Sequence, residues 1–302
     1  MRIILAAAVC FFAFACQQKP NLPPLSVDND ATDRSEPNAI EKQGSIDALI
    51  NKSGRQRMLS QRIAKCYFML GMNISSKEAQ EQLNKSITQF KEQHENLKTN
   101  SISAAFGEQL QELEKVWNKY EALVMSKVER NSAEKVLEMS QQMLGLAEKA
   151  TDILCEYANT LPNNINSKLT NAEVAKLINQ SGRQRMLNQK LSLYYMAYIW
   201  ELKADEASEQ IPVLLNEFST NLNQLQANKL NSEEVKKQYF ELMDEWRTIS
   251  TACLQLENQN RETALVFLQN TDKVTNIMNK VTALYEKEFE IDNELLTDQG
   301  RR

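Results

Sequence analysis

Between about residue 44 and residue 290, apolar side chains recur every three or four positions with polar residues between them. That is the spacing of helices that each bury one stripe. In the first half, "GMNISS" (71–76), "KTNSIS" (98–103) and "VERNSAE" (128–134) interrupt the pattern and supply Ser and Asn that can cap a following helix. They divide it into segments at about 44–72, 76–99, 102–128 and 132–158. The second half divides at about 172–204, 207–227, 231–256 and 260–290, with "NSEE" (231–234) placing Ser232 one residue off the ideal capping-box spacing. Long helices joined by short turns pack as antiparallel up-down bundles.

The two halves are copies. "LINKSGRQRMLSQR" starts at Leu49 and "LINQSGRQRMLNQK" at Leu177, 128 residues later. Phe90 pairs with Phe218 at the same offset, Trp117 with Trp246 at 129, and Val136–Leu154 with Val266–Leu284 at 130. In this register Cys66 matches Tyr194 and Cys155 matches Tyr285. The period is too long for a solenoid unit and indicates domain duplication. The expected fold is all-α: two tandem antiparallel four-helix bundles, 44–160 and 172–290, arranged as a pseudo-twofold dimer joined by the polar connector "NTLPNNINSKLTN".

Helical phase separates two faces of the doubled segment. With Arg57 set at zero and about 100° per residue, Leu59, Ile63, Cys66 and Leu70 cluster around 180–240°. They form the stripe that enters the bundle core, and Leu187, Leu191, Tyr194 and Tyr198 repeat it. Arg57 points away from it, among Ile46, Ile50, Ser53, Gly54, Ser60, Gln61 and Ala64. The second copy presents Ile178, Ser181, Gly182, Arg185, Asn188, Gln189 and Ser192. A mid-helix Gly costs about 1 kcal/mol relative to Ala, so Gly54 and Gly182 suggest close approach of another helix backbone. Pairing the two first helices would bring Arg57 and Arg185 together. A small planar oxyanion would satisfy both guanidinium forks; the alternatives are arginines turned into water or paired with carboxylates of neighbouring helices. Arg55 and Arg62 flank the core and suit pairs with other helices.

Composition narrows the function classes. Only 7 Gly and 6 Pro agree with long helices. The net charge of −5 and the lack of a basic stripe with interleaved aromatics disfavour nucleic acid. Arg2 and the run "IILAAAVCFFAFA" followed by Cys16 resemble a bacterial lipoprotein signal. Residues 1–15 would be removed, Cys16 lipidated, and the Pro-, Asn- and Asp-rich 16–43 segment would serve as a flexible stalk. The protein is then expected on the periplasmic or cell-surface side, anchored to a bacterial membrane. Cys66, Cys155 and Cys253 lack the spacing of a zinc site or disulfide framework and read as core filling. The single histidine, His94, lies in the polar "KEQHENLK" and is expected on the surface. Met58 and Met186 suit packing rather than metal ligation. No HExxH, GxSxG, P-loop or GxGxxG motif occurs, so no enzyme, metal or cofactor is expected.

"LINKSGRQRMLSQRIAK" resembles the opening helix of the PilJ-type sensor domain, the N-terminal domain of type IV pili methyl-accepting chemotaxis transducers; NarX-type nitrate/nitrite sensor kinases carry a related bundle. Asn51, Gly54, Arg55, Gln56, Arg57, Met58, Leu59, Ser60, Gln61 and Arg62 fit the motif. So do Asn179, Gly182, Arg183, Gln184, Arg185, Met186, Leu187 and Gln189, while Asn188 and Lys190 depart from it. Over the other six helices the likeness is architectural. It implies a periplasmic bundle holding one nitrate between first helices through an Arg from each side: Arg57 and Arg185, bordered by Gly54, Gly182, Ser53 and Ser181. Such domains usually continue into a membrane span and a signalling module; this sequence ends at Arg302 without either, which implies a separate transmembrane sensor or transporter as partner. The expected function is a lipid-anchored binding protein for nitrate, nitrite or a similar oxyanion. The alternative is a ligand-free helical adaptor docking on a membrane receptor or a chemotaxis or pilus component.

Overall fold

A computed structural model describes residues 45–163 and 167–289. The 1–15 leader, Cys16 and the 16–43 stalk lie outside the described residues. The fold is all-α. In chain order the helices are α1 (Ile46–Gly71), α2 (Ser76–Thr99), α3 (Ala104–Val124), α4 (Arg130–Thr160), α5 (Asn171–Ile199), α6 (Ala204–Gln226), α7 (Glu233–Leu254) and α8 (Arg261–Glu288). In the first unit α1 packs on α2 and α4, and α3 on α4; α5, α6, α8 and α7 repeat that arrangement. The most extensive contact between units is α1 against α5.

Local chemistry sets the ends. Ser103 accepts from the Phe106 amide at 3.1 Å, Thr170 and Glu173 close a capping box, and Asn260 caps α8. Ser232 stands at the N-cap itself and accepts from the Val235 amide, so α7 begins one residue later than the "NSEE" spacing suggested. The turns after α1 and α5 are copies of one device. Asn73 and Glu201 adopt positive φ, and the Ile74 and Leu202 amides donate to Met69 and Ala197 five residues back. Burial of Ile74 and Leu202 completes this Schellman-type stop.

Three of the helices in each unit bury a single stripe, but α1 and α5 are enclosed along most of their circumference. Their apolar side enters the unit's own core; Asn51 and Arg57 of α1 and Asn179 and Arg185 of α5 reach into the seam between units. Core packing repeats closely. Phe90 stacks on Trp117 and Phe218 on Trp246, both at 3.9 Å. Gln56 and Gln184 donate from Nε2 to the Phe90 and Phe218 carbonyls. Met58, Met186, Cys66 and Cys253 are buried, and Cys155 is half-buried.

Burial along the last helix of each unit fixes a register that the sequence alone left one residue off. Ala133, Val136, Leu137, Met143, Ala147, Ala150, Thr151 and Leu154 of α4 correspond to Ala264, Phe267, Leu268, Val274, Met278, Val281, Thr282 and Tyr285 of α8. The offset is 131, so Leu154, not Cys155, is the counterpart of Tyr285. The 130 register followed residue identity at Val136 and Val266, but Val266 is exposed.

At one end of the seam Trp200 lies against Gly71, meets Phe68 edge-on at 5.3 Å, and is crossed by Arg130, whose guanidinium also binds the Trp200 and Glu201 carbonyls. A Cβ on Gly71 would overlap the indole ring. Gly71→Ala is therefore expected to destabilise by about 1–3 kcal/mol through overpacking, lowering Tm by roughly 2–10 °C. Adding Trp200→Leu should recover part of the loss. Thermal melts of the single and double variants check this; additive losses would contradict the contact.

Candidate functional site

The doubled "SGRQRM" segments meet where α1 crosses α5. Arg57 and Arg185 are the largest fully buried side chains described, each without solvent exposure. Each guanidinium reaches the opposite first helix. Arg57 donates through Nη2 to the Asn179 side-chain oxygen at 2.7 Å, and Arg185 through Nη2 to the Asn51 side-chain oxygen at 2.6 Å. Both Nη2 atoms lie within 3.5 Å of one point, the position a Cβ on Gly182 would occupy.

That geometry explains the glycines differently from the expectation drawn from sequence. The atoms nearest a Cβ on Gly54 are those of Arg57, with Nη2 at 2.9 Å, and at Gly182 they are those of Arg185 and Arg57. The missing side chain makes room for a guanidinium folded back three residues along its own helix, and at Gly182 also for its counterpart from across the seam. Close approach of another backbone is not what fills the space.

The two arginines differ in their third partner. Arg57 Nη1 binds Glu148 of α4 at 2.8 Å, and the other Glu148 oxygen binds Arg183 at 2.7 Å, so one carboxylate ties α1, α4 and α5. Arg183 also binds Glu217 at 2.8 Å. In the 131 register Asn279 stands at the position of Glu148. It accepts from Arg185 Nη1 at 3.0 Å, so an amide replaces the acid. Among the described residues no carboxylate lies within ion-pair distance of Arg185, and its Nε has no hydrogen-bond partner. Burial, reinforced by Arg55, Arg57 and Arg62, pushes the Arg185 pKa well below its ordinary value. An arginine stays protonated even so, so a buried cation stands here with amide partners among the described residues.

A second carboxylate waits one residue further out. Glu286, the counterpart of Cys155, accepts from the Asn51 amide at 2.8 Å. Burial raises its pKa to about 7, with Asp47 adding to the rise and Arg185 opposing it. On the other side Cys155 sits beside Asn179, its thiol pushed up to about 12 by burial. Glu148 thus sits directly on its arginine and Glu286 behind an asparagine.

Of the residues expected at the site, Arg57, Arg185, Gly54 and Gly182 come together. Ser53 and Ser181 do not join them: Ser53 shares a hydrogen bond with Thr151 at 2.9 Å, and Ser181 donates to the Ile178 carbonyl. Ser53 is thereby turned toward its own unit, and Ser181 is tied to its own helix. Ser60 donates to the Arg57 carbonyl, and Asn188 donates to the Thr271 carbonyl and the Thr275 hydroxyl. Glu148, Asn279 and Glu286 were missed because they come from α4 and α8, and phase on α1 says nothing about them. Asn51 and Asn179 were visible as part of the doubled motif. His94 is a correction: it is buried rather than solvated, lying over Phe90 with 6.1 Å between ring centroids, and burial lowers its pKa. Its polar sequence neighbours occupy the other faces of α2.

The family described as "Type IV pili methyl-accepting chemotaxis transducer N-term", PilJ, matches residues 39–150 and again 170–271. Neither a curated protein nor a solved structure matches the chain.

The raised Glu286 pKa has a measurable consequence. Below its ordinary value of 4.5 the group is protonated folded or unfolded; between 4.5 and about 7 folding takes up a proton. Stability should therefore fall as pH rises through that window and level off above it, by roughly 1–3 kcal/mol in all. Denaturant titrations from pH 4 to 8 should show that slope, and Glu286→Gln should remove most of it. An unchanged slope in the variant would place the titration elsewhere.

Proposed function

The chain belongs to the PilJ family of sensory, helical transducer domains, and on that premise we propose that it binds one nitrate, or a similar small planar oxyanion such as nitrite, between α1 and α5. The observation that carries this is the pair of fully buried arginines at the seam, of which Arg185 has only amide partners among the described residues. Two guanidinium groups held this close repel unless negative charge lies between them, and leaving such charge uncompensated in a buried site costs several kcal/mol.

The residues present suit an exchange. An entering anion would take one Nη2 donor from each arginine, while Asn51 and Asn179 turn their amides to donate as well. Three oxygens in a plane match two opposed forks. Glu148 would be relieved of Arg57 and keep Arg183; Glu286, near half protonation at neutral pH, would yield the stronger share of Arg185 to the ligand. Because α1 and α5 supply equal halves of the pocket, occupancy reports directly on how the two bundles sit against one another, which is the quantity a sensor can transmit. Among the described residues no helix is long and apolar enough to cross a membrane. A lipid on Cys16 would hold the chain on the extracytoplasmic side, and the message would pass to a separate transmembrane partner.

Calorimetric titration of the purified chain with nitrate, nitrite, chloride and sulfate tests the site. One nitrate per chain is expected, abolished by Arg57→Ala or Arg185→Ala. Asn279→Glu, which supplies Arg185 with the carboxylate Arg57 already has, should weaken binding about tenfold or more while raising Tm. Two anions per chain, or heat that survives both arginine variants, would refute the shared pocket. No heat with any anion would favour an adaptor without ligand.

The anchor is tested separately by fractionation. Cys16→Ser should leave the chain unprocessed or move it from the membrane to the soluble fraction; membrane retention of a processed variant would refute lipidation.

A further inference from the structure

The outer face of α7 differs in kind from its counterpart. The buried residues of α3 and α7 correspond throughout at an offset of 129: Phe106 with Val235, Leu113 with Leu242, Trp117 with Trp246. In that register Gln111 and Glu114 occupy the outer face of the first unit where the second has Phe240 and Met243. Phe240 is 78% exposed, and Leu254, two heptads further along the same stripe, 75%. Nothing in the bundle needs a phenylalanine there. An aromatic ring in water forfeits the stabilisation that burial would return.

The charges around Phe240 say what could cover it. Four residues before it stands Lys236 and seven before it Glu233; four residues after it stands Asp244 and seven after it Arg247. All share the outer face at helical spacing. The pattern is antisymmetric about Phe240, acid opposite base at each step. A second α7 laid antiparallel across the first would therefore set Glu233 against Arg247, Lys236 against Asp244, and Phe240 against itself. A sequence that complements its own reversal is the requirement of an isologous twofold contact. Among the described residues these charges pair with neighbours three residues away, Lys236 with Glu233 and Arg247 with Asp244. Such exposed pairs are worth little and are free to exchange for partners across an interface.

We propose that two copies of this chain associate through α7, antiparallel about a twofold axis at Phe240. The seam between α1 and α5 is already filled within the chain, so pairing of chains must use another surface. A single helix crossing buries less than the 1,200–2,000 Å² typical of stable complexes. Association is accordingly weak and depends on local concentration, as for chains confined to one surface. The contact does not depend on the anion site.

Disulfide trapping in the full chain, in the cells that make it, reads this out. With F240C the two cysteines face each other across the axis, and mild oxidation should give a species of two chains on a non-reducing gel. Q111C, the matching position of the first unit, should give no more than the parent. In the F240C background, Lys236→Glu or Asp244→Lys should each lower the yield roughly tenfold by opposing like charges. The two together restore opposite charges across the axis and should restore the yield. Thermal melts would confirm that each variant is folded. Absence of the linked species, linkage to a different protein, or a yield indifferent to the reversals would each overturn the proposal.

Discussion

Two guanidinium groups buried against each other at the crossing of α1 and α5 are the constraint on which the rest of this molecule depends. Buried cations of like sign cannot be packed as apolar side chains are; every nearby group must either make room or supply acceptors. Gly54 and Gly182 make room three residues back along each helix. Asn51 and Asn179 supply acceptors from the opposite helix, so the polar contacts that satisfy the arginines also lock the two bundles together. Glu148 supplies charge, and does so for Arg57 and Arg183 at once.

Duplication within one chain allowed the two halves of this arrangement to diverge. In a symmetric pair of separate chains both arginines would meet the same residue of the fourth helix. Here they meet Glu148 on one side and Asn279 on the other, while the position behind the asparagine carries Cys155 on one side and Glu286 on the other. Glu148 and Glu286 therefore stand at different distances from their arginines. Arg57 is neutralised at contact; Arg185 is neutralised through an intervening amide and by a carboxyl whose own charge varies near neutral pH. The two arginines are thus unequally balanced, one held by a carboxylate and the other by amides, which two identical halves would not be. A polar link beside the seam is also unsymmetrical: buried Lys65 of α1 reaches Asp272 of α8 at 3.0 Å, whereas the position equivalent to Lys65 is Leu193. Although burial alone would raise the Asp272 pKa, Lys65 and Arg62 hold it below its ordinary value.

Much of the architecture was legible in the sequence because it rests on short-range regularities. Apolar spacing gave eight helices, Ser and Asn marked several of their starts, and a fourteen-residue near-identity exposed the duplication. Helical phase separated Arg57 and Arg185 from the core stripe. The same reasoning failed where the deciding neighbour lay on another helix. It gave Ser53 and Ser181 to the site, though Ser53 is claimed by Thr151 and Ser181 by the Ile178 carbonyl of its own helix. It put His94 on the surface, because a polar stretch hides one inward position, and it aligned α4 with α8 one residue out, because identity at an exposed valine outweighed the buried pattern.

The sequence by itself determined the helices, their doubling and the two arginines, since each follows from the periodicity or recurrence of residues along one strand of chain. Only the tertiary structure decided which acids and amides meet those arginines, since Glu148, Asn279 and Glu286 reach the seam from helices about ninety to one hundred residues further along. Distance along the chain carries no information about contact until packing fixes it. The balance of charge at the seam belongs to packing alone.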